Sequence, residues 1–274
     1  MADVPVDPFR TRDHVTDFDR FVTAYADRSA EARQRHAARL DQSYGNGPDE
    51  RLDLFFPPDM SGAKPVHLFI HGGYWRMFSK KDFSFVANSV VAAGGIAAVI
   101  DYGLMPEVRM KTIVAQVQKA AAWIVANAAS FGGDPARLTI SGHSAGGHLC
   151  CSLLEHASPV RPQGALLLSG IYDLAPLRTS FLQPLVGLTE DEVADFTPLA
   201  KRYTAGSETL LVSGQLETEP FHTQADKMRS ALHSQGLNAS RVDVQSGNHM
   251  SVALDLAEPA TEVGQLLGRL IRDH

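Results

Sequence analysis

The chain has 274 residues, 44% hydrophobic and 20% charged, with 25 Lys and Arg against 31 Asp and Glu for a formal net charge of −6. That length admits two domains or one large α/β domain and suffices to bury a core without disulfide or metal staples. Mild acidity excludes the clustered basic footprint of a nucleic-acid binder, and no apolar run approaches the roughly 18 residues of a membrane span.

Residues 1–10 carry Asp3, Asp7 and two prolines in place of an apolar stretch, so no signal peptide is expected. The two cysteines, adjacent at Cys150 and Cys151, make no disulfide framework, and the expected location is the cytoplasm. Residues 13–40 are polar and rich in Arg and Ala, with Val15, Phe18, Phe21, Val22 and Tyr25 at near-helical spacing. One or two amphipathic helices lying across other structure are predicted there. Turn formers follow over residues 41–48, so residues 1–44 read as an N-terminal helical arm.

Beyond the arm the rhythm changes. Short apolar runs at residues 52–56, 66–70 and 96–100 are bounded by Gly or Pro, as buried parallel strands usually are. Residues 112–131 place Ile113, Val117, Ala120, Ala121, Ile124 and Ala128 on one helical face, ended by Gly132-Gly133-Asp134-Pro135. Strands at 137–141, 165–169, 209–213 and 240–244 then alternate with helices at 145–156, 221–235 and 251–271. This alternation predicts the α/β class: a mostly parallel central sheet with helices on both faces. Residues 172–206, with Pro176, Pro184 and Pro198, read as a small helical, cap-like insertion, and the whole chain as a single domain.

The chemistry concentrates where one predicted strand meets a helix. Gly142-His143-Ser144-Ala145-Gly146 has the Gly-x-Ser-x-Gly pattern of a nucleophile held on a strained strand-to-helix turn. A second strand ends in His71-Gly72-Gly73-Tyr74-Trp75, where this arrangement places oxyanion donors. The expected donors are the amides of Gly72 and Gly73, with Tyr74 as a further candidate and Ala145 beside the nucleophile. In chain order an acid and then a histidine should follow the serine. His249 lies on the loop between the last strand and the last helix, whereas His233 is mid-helix, His274 terminal, and His222 a rival at a helix start. Two glutamates follow the preceding strand. Glu217, nearer the strand end, is favoured over Glu219, which reads as a helix-start charge. Asp173 is read as a structural anchor of the insertion. The expected catalytic order is therefore Ser144, Glu217, His249.

Other residues carry weaker signals. Tyr74 and Trp75 are candidate pocket walls, Tyr44 a candidate that reaches the site from its turn, and His143 a neighbour inside the elbow. Cys150 and Cys151 read as small apolar packing behind Ser144. No zinc spacing and no nucleotide-type phosphate loop is present, so no metal and no cofactor is expected. The expected partner is a small-molecule substrate, with a homodimer left open.

His71-Gly72-Gly73-Tyr74-Trp75 together with Gly142–His148 resembles the kynurenine formamidase (arylformamidase) group of α/β-hydrolases. The segments 101–107 and 169–174, and Tyr44-Gly45 ahead of residues 52–57, are similar too, so the likeness runs from about Tyr44 to Met250. It implies an α/β-hydrolase fold, hydrolysis of N-formyl-L-kynurenine to formate and kynurenine, and a triad of Ser144, an acid and His249. The chain departs from that group in having Glu217 where Asp is usual and Met250 where Phe commonly follows the histidine. A carboxylesterase, another amide or imide hydrolase, and a non-catalytic small-molecule-binding relative are the alternative readings.

Overall fold

The computed structural model describes residues 6–274, so residues 1–5 of the segment read for a signal peptide lie outside it. Eight strands form one sheet: β1 (Ala37–Ser43), β2 (Arg51–Phe56), β3 (Lys64–Ile70), β4 (Ile96–Ile100), β5 (Gly133–His143), β6 (Gly164–Leu168), β7 (Glu208–Gly214) and β8 (Ala239–Val244). Their order is β1-β2-β4-β3-β5-β6-β7-β8. The pairs β1/β2 and β2/β4 are antiparallel, and the rest are parallel.

Side chains alternate across this sheet into two apolar layers. Val66, Leu68 and Ile70 of β3 pack on one face with helices α4 (Met110–Asn127), α5 (Ala145–Leu154) and α8 (Glu219–Ser234). Phe69 of β3, with Ala97 and Val99 of β4, packs on the other against α2 (Phe18–Arg35), which follows the single turn α1 (Thr11–His14), and against α3 (Ala87–Ala92), α9 (Ser251–Leu254) and α10 (Glu262–Asp273). Burial on both faces is why these strands read as unbroken apolar runs. All six apolar positions expected on one face of residues 112–131 are buried in the first layer.

Three features differ from expectation. The arm's helix α2 stops at Arg35, and the next residues form β1, where helix and turn were predicted. β1 is an edge strand, exposed along almost its whole length, so backbone pairing with β2 holds it and no apolar alternation marked it. β2 itself is antiparallel, although its composition is that of a buried parallel strand. The last helix is broken: α9 ends at Leu254 and α10 begins at Glu262, after Pro259, with the Thr261 hydroxyl accepting from the Gly264 amide at 3.0 Å.

A buried charge cluster ties the arm to the sheet. Arg33 of α2 bonds Asp53 of β2, whose side chain has no exposure. Lys80, 1% exposed, places its ammonium 2.6 Å from Asp41 and 3.2 Å from Asp53, while Asp53 also accepts from the Asp41 amide at 2.7 Å. Charges this deep are tolerated because each faces an opposite charge. The insertion is built from short helices, α6 (Gln183–Val186) and α7 (Glu190–Phe196). α7 has a capping box in which Thr189 and Glu192 exchange side-chain-to-backbone bonds, and Glu192 also takes the Arg109 guanidinium ahead of α4. Among the described residues no helix is long and apolar enough to cross a membrane.

Several imidazoles are sealed in the interior. The nitrogens of His67 on β3 lie 2.8 and 2.6 Å from the hydroxyls of Thr139 and Ser141 on β5. Burial pushes His67 down from 6.5 to about 3, and His71 and His148 to about 4. Below pH 6.5 the unfolded chain takes up these protons and the folded protein does not. The stability is therefore fully present above pH 6.5 and lost as pH falls toward 4. Urea midpoints measured from pH 7 to pH 5, above the carboxylate range, should drop steadily, each imidazole contributing up to about 1.4 kcal/mol per pH unit. A flat midpoint over that window is the contrary result.

Candidate active site

Ser144 sits between β5 and α5 at φ 55°, ψ −117°, a backbone conformation that a residue with a side chain rarely adopts. The turn closes by direct contact of backbones. A Cβ on Gly142 would lie 2.4 Å from the Gly146 carbonyl, and one on Gly146 would lie 2.0 Å from the Ile70 oxygen. At the end of β3, a Cβ on Gly72 would lie 2.7 Å from the His143 oxygen and 3.3 Å from the Ser144 Cβ. Only glycine fits at these points, and their fit brings the His71-Gly72-Gly73 loop against the serine. Ser144 is 2% exposed, and its amide donates to the Leu168 oxygen at 2.8 Å.

Glu217 and His249 meet across the ends of β7 and β8. The Glu217 Oε2 accepts from His249 Nδ1 at 2.8 Å, while Oε1 accepts from the Ser169 hydroxyl and the Gly214 amide, each at 2.6 Å. With its proton on Nδ1, the neutral His249 ring has Nε2 free as an acceptor. The Asn248 side chain fixes the loop by accepting from the amides of Met250 and Ser251 at 2.9 Å. Tyr25 of α2 donates to the Met250 oxygen at 2.7 Å, so the arm also holds this loop.

The His249 ring lies between Phe221 and His143, with centroids 4.5 and 4.7 Å away. His143 Nε2 donates to the His249 oxygen at 2.7 Å, and His143 Nδ1 has no partner. Burial, and then the neighbouring His249, pushes the His143 imidazole well below its ordinary range, so it stays neutral beside the ring it supports.

Ser144, His143 and His249 open on one cavity of about 330 Å³. Gly73 and Tyr74 line it, Phe181, Leu182 and Leu185 close it from the insertion, and Arg10, Thr11 and Arg12 close it from the arm. Gly72 and Ala145 flank Ser144 within the two turns. Other sequence candidates lie elsewhere. Tyr44 is buried away from the cavity, its hydroxyl donating to the Asp101 oxygen at 2.7 Å. Trp75 is fully buried behind the loop, with Nε1 donating to His148 Nδ1 at 3.2 Å. Glu219 sits in the first turn of α8, bonded to Thr223, and His222 pairs with Arg241. Asp173 caps the turn into the insertion by accepting from Ala175 at 3.1 Å.

Sequence reasoning missed the arm's share of the cavity. The residues near Arg10 are strapped down by the Tyr74 hydroxyl on the Phe9 oxygen and by the Thr218 hydroxyl on the Pro8 oxygen at 2.7 Å. Phe9, 6% exposed and 6.2 Å from the Phe221 ring, was the signal available: a lone aromatic within residues 1–10.

Residues 52–157 match the family model described as BD-FAE. A kynurenine formamidase of Salmo salar is 28% identical over 261 residues, covering 91% of this chain and 87% of that protein. An isoprenylcysteine alpha-carbonyl methylesterase of Arabidopsis thaliana is 35% identical over 116 residues, 42% of this chain and 27% of its own. The crystal structure of a provisionally named thioesterase from Silicibacter sp. tm1040 superposes with a TM-score of 0.83 at 26% identity, covering 97% of this chain and 98% of that one. The fold is that of the α/β-hydrolases. In sequence the chain is kynurenine formamidase-like, and the protein is a hydrolase of amides or esters.

The elbow's contacts make a sharp prediction. Gly146→Ala forces a methyl into the end of β3, and overpacking of this kind costs about 1–3 kcal/mol. Its thermal midpoint should fall, and turnover of any ester or amide substrate should fall further than the lost folded fraction explains. Wild-type turnover per folded molecule would contradict the close-contact argument.

Proposed function

We propose that the protein is a serine hydrolase that cleaves N-formyl-L-kynurenine to formate and kynurenine, a step of tryptophan breakdown, in the cytoplasm. The observation that carries the reading is the Glu217–His249 bond of 2.8 Å beside a cavity that also holds Ser144. His249 Nε2 takes the Ser144 proton as the hydroxyl oxygen attacks the formyl carbon. The negative charge that forms on the carbonyl oxygen is met by the amides of Gly72 or Gly73 and of Ala145, each such donor being worth about 3–4 kcal/mol in the transition state. His249 then protonates the leaving amine, and water repeats the cycle on the formyl-enzyme. Glu217 holds the imidazole in the tautomer this needs and stabilises its protonated form. The formyl group asks little acyl space, and the rings of Tyr74 and Phe181, 5.5 Å apart, suit an aromatic leaving group.

The likeness to a kynurenine formamidase over 91% of the chain supports the substrate. The higher identity to a methylesterase, confined to 116 residues, supports a second reading in which the natural substrate is an ester.

Rates on N-formyl-L-kynurenine and on short 4-nitrophenyl esters separate the two. Formamide turnover at least comparable to ester turnover supports the first reading, and cleavage of esters alone supports the second. Ser144→Ala should lower kcat by at least about 10³-fold and abolish labelling by a fluorophosphonate. Glu217→Gln should lower kcat by on the order of 10³- to 10⁴-fold, since the amide can present its donor to Nδ1 and favour the wrong tautomer. Labelling that persists in Ser144→Ala would remove the nucleophile from the mechanism.

A further inference from the structure

The cavity beside Ser144 has an uneven charge. Among the described residues its lining includes three arginines, Arg10, Arg12 and Arg76, and no Asp or Glu. Two of these already have counter-ions. Arg10 lies 3.5 Å from Asp13, and Arg12 lies 2.8 Å from Asp19. Arg76 has no carboxylate partner among the described residues. Its Nη1 lies 3.9 Å from the Met77 sulfur, a weak acceptor, and its buried Nε has no hydrogen-bond partner among the described residues.

A guanidinium presents a planar fork of donors that matches a carboxylate, and in a water-poor cavity such a pair is stronger than at a free surface. The other two arginines of the wall, Arg10 and Arg12, face carboxylates of their own. The hydroxyl of Tyr74 donates to the Phe9 oxygen and that of Tyr25 to the Met250 oxygen, so neither has its proton free for a carboxylate. Arg76 also stands on the loop that carries Gly72 and Gly73, its amide donating to the Gly73 oxygen at 3.0 Å. Trp75, fully buried next to it, pins that loop. One rigid loop therefore carries both the proposed oxyanion amides and an unpaired cation.

We propose that Arg76 anchors a carboxylate of the substrate, so that the site selects aromatic or apolar acyl compounds bearing a negative charge and does not read an amine. The proposal rests on the hydrolase reading for its location and deepens it by naming the group that is recognised. Among the described residues no Asp or Glu lines the cavity to face a substrate ammonium.

Binding measures this without turnover. Wild type, Arg76→Ala and Arg76→Lys are titrated calorimetrically with 3-phenylpropionate, 3-phenylpropanamide and phenylalanine at low and high salt. The propionate should bind wild type roughly ten- to a hundredfold more tightly than the amide, with the advantage shrinking at high salt. Phenylalanine should bind no more tightly than the propionate. Arg76→Ala should bring the propionate-to-amide ratio close to one, and Arg76→Lys should keep part of it. Equal binding of anion and amide by wild type, a ratio unchanged in Arg76→Ala, or tighter binding of phenylalanine would each overturn the proposal. If Arg76→Ala does not fold, the wild-type ratio, its salt dependence and the lysine variant decide. Anion selectivity without turnover of any ester or formamide would sink the hydrolase reading and leave this one standing, whereas turnover without anion selectivity would do the reverse.

Discussion

Everything in this protein is arranged around one close approach of backbones. β3 and β5 run parallel and end together, and the chain then leaves β5 through a serine at positive φ. That turn exists only because Gly142, Gly146 and Gly72 have no side chains where the backbone of the next element passes. The strain at Ser144 is compensated by packing on every side: α5 behind it is buried at every residue, and the amide of the serine is tied to β6. Close-packed interiors do not deform gradually, so the positions of the serine and of the glycine loop are set together.

The opposite half of the site is held by polar contacts in place of steric ones. Glu217 is fixed by a backbone amide and a serine hydroxyl before it meets His249, which leaves its carboxylate little rotational freedom. His249 is supported through its backbone by His143 and through the next residue by Tyr25. The first of those contacts links the elbow to the histidine loop directly. The second links the loop to the arm, which the Arg33–Asp53–Lys80 cluster in turn fastens to the sheet. Residues separated by more than 200 positions therefore share one rigid frame, as the proposed proton transfer requires.

The part of the site carried by local chain geometry was legible from residues alone. Gly-x-Ser-x-Gly needs a strand before it and a helix after it, and periodicity reveals both. The glycine loop is likewise a local feature at a strand end. Glu217 was favoured over Glu219 as the nearer to the end of β7, and the structure puts Glu217 in the turn after Gly214, bonded to His249, and Glu219 in the first turn of α8. Tyr44 and Trp75 show where such reasoning fails. An aromatic beside a turn looks the same in sequence whether it faces a cavity or the core, and these two face the interior, bonded to Asp101 and His148. β1 escaped detection because an edge strand held by backbone bonds has no hydrophobic period to read.

The amino-acid sequence by itself determined the α/β class, the run of strands from β2 to β8 and the serine turn between β5 and α5, and it set the expected order of serine, acid and histidine. Each of these is written in short-range patterns: periods of two and 3.6, glycines where backbones must touch, side chains at strand ends. Only the tertiary structure decided that the polar arm roofs the cavity, that Phe221 and His143 enclose the His249 ring, and that Arg76 is left without a counter-ion among the described residues. Those are facts about which distant surfaces meet and which charges find partners when they do. Long-range contact is settled by the packing of the whole chain, and no local stretch contains it.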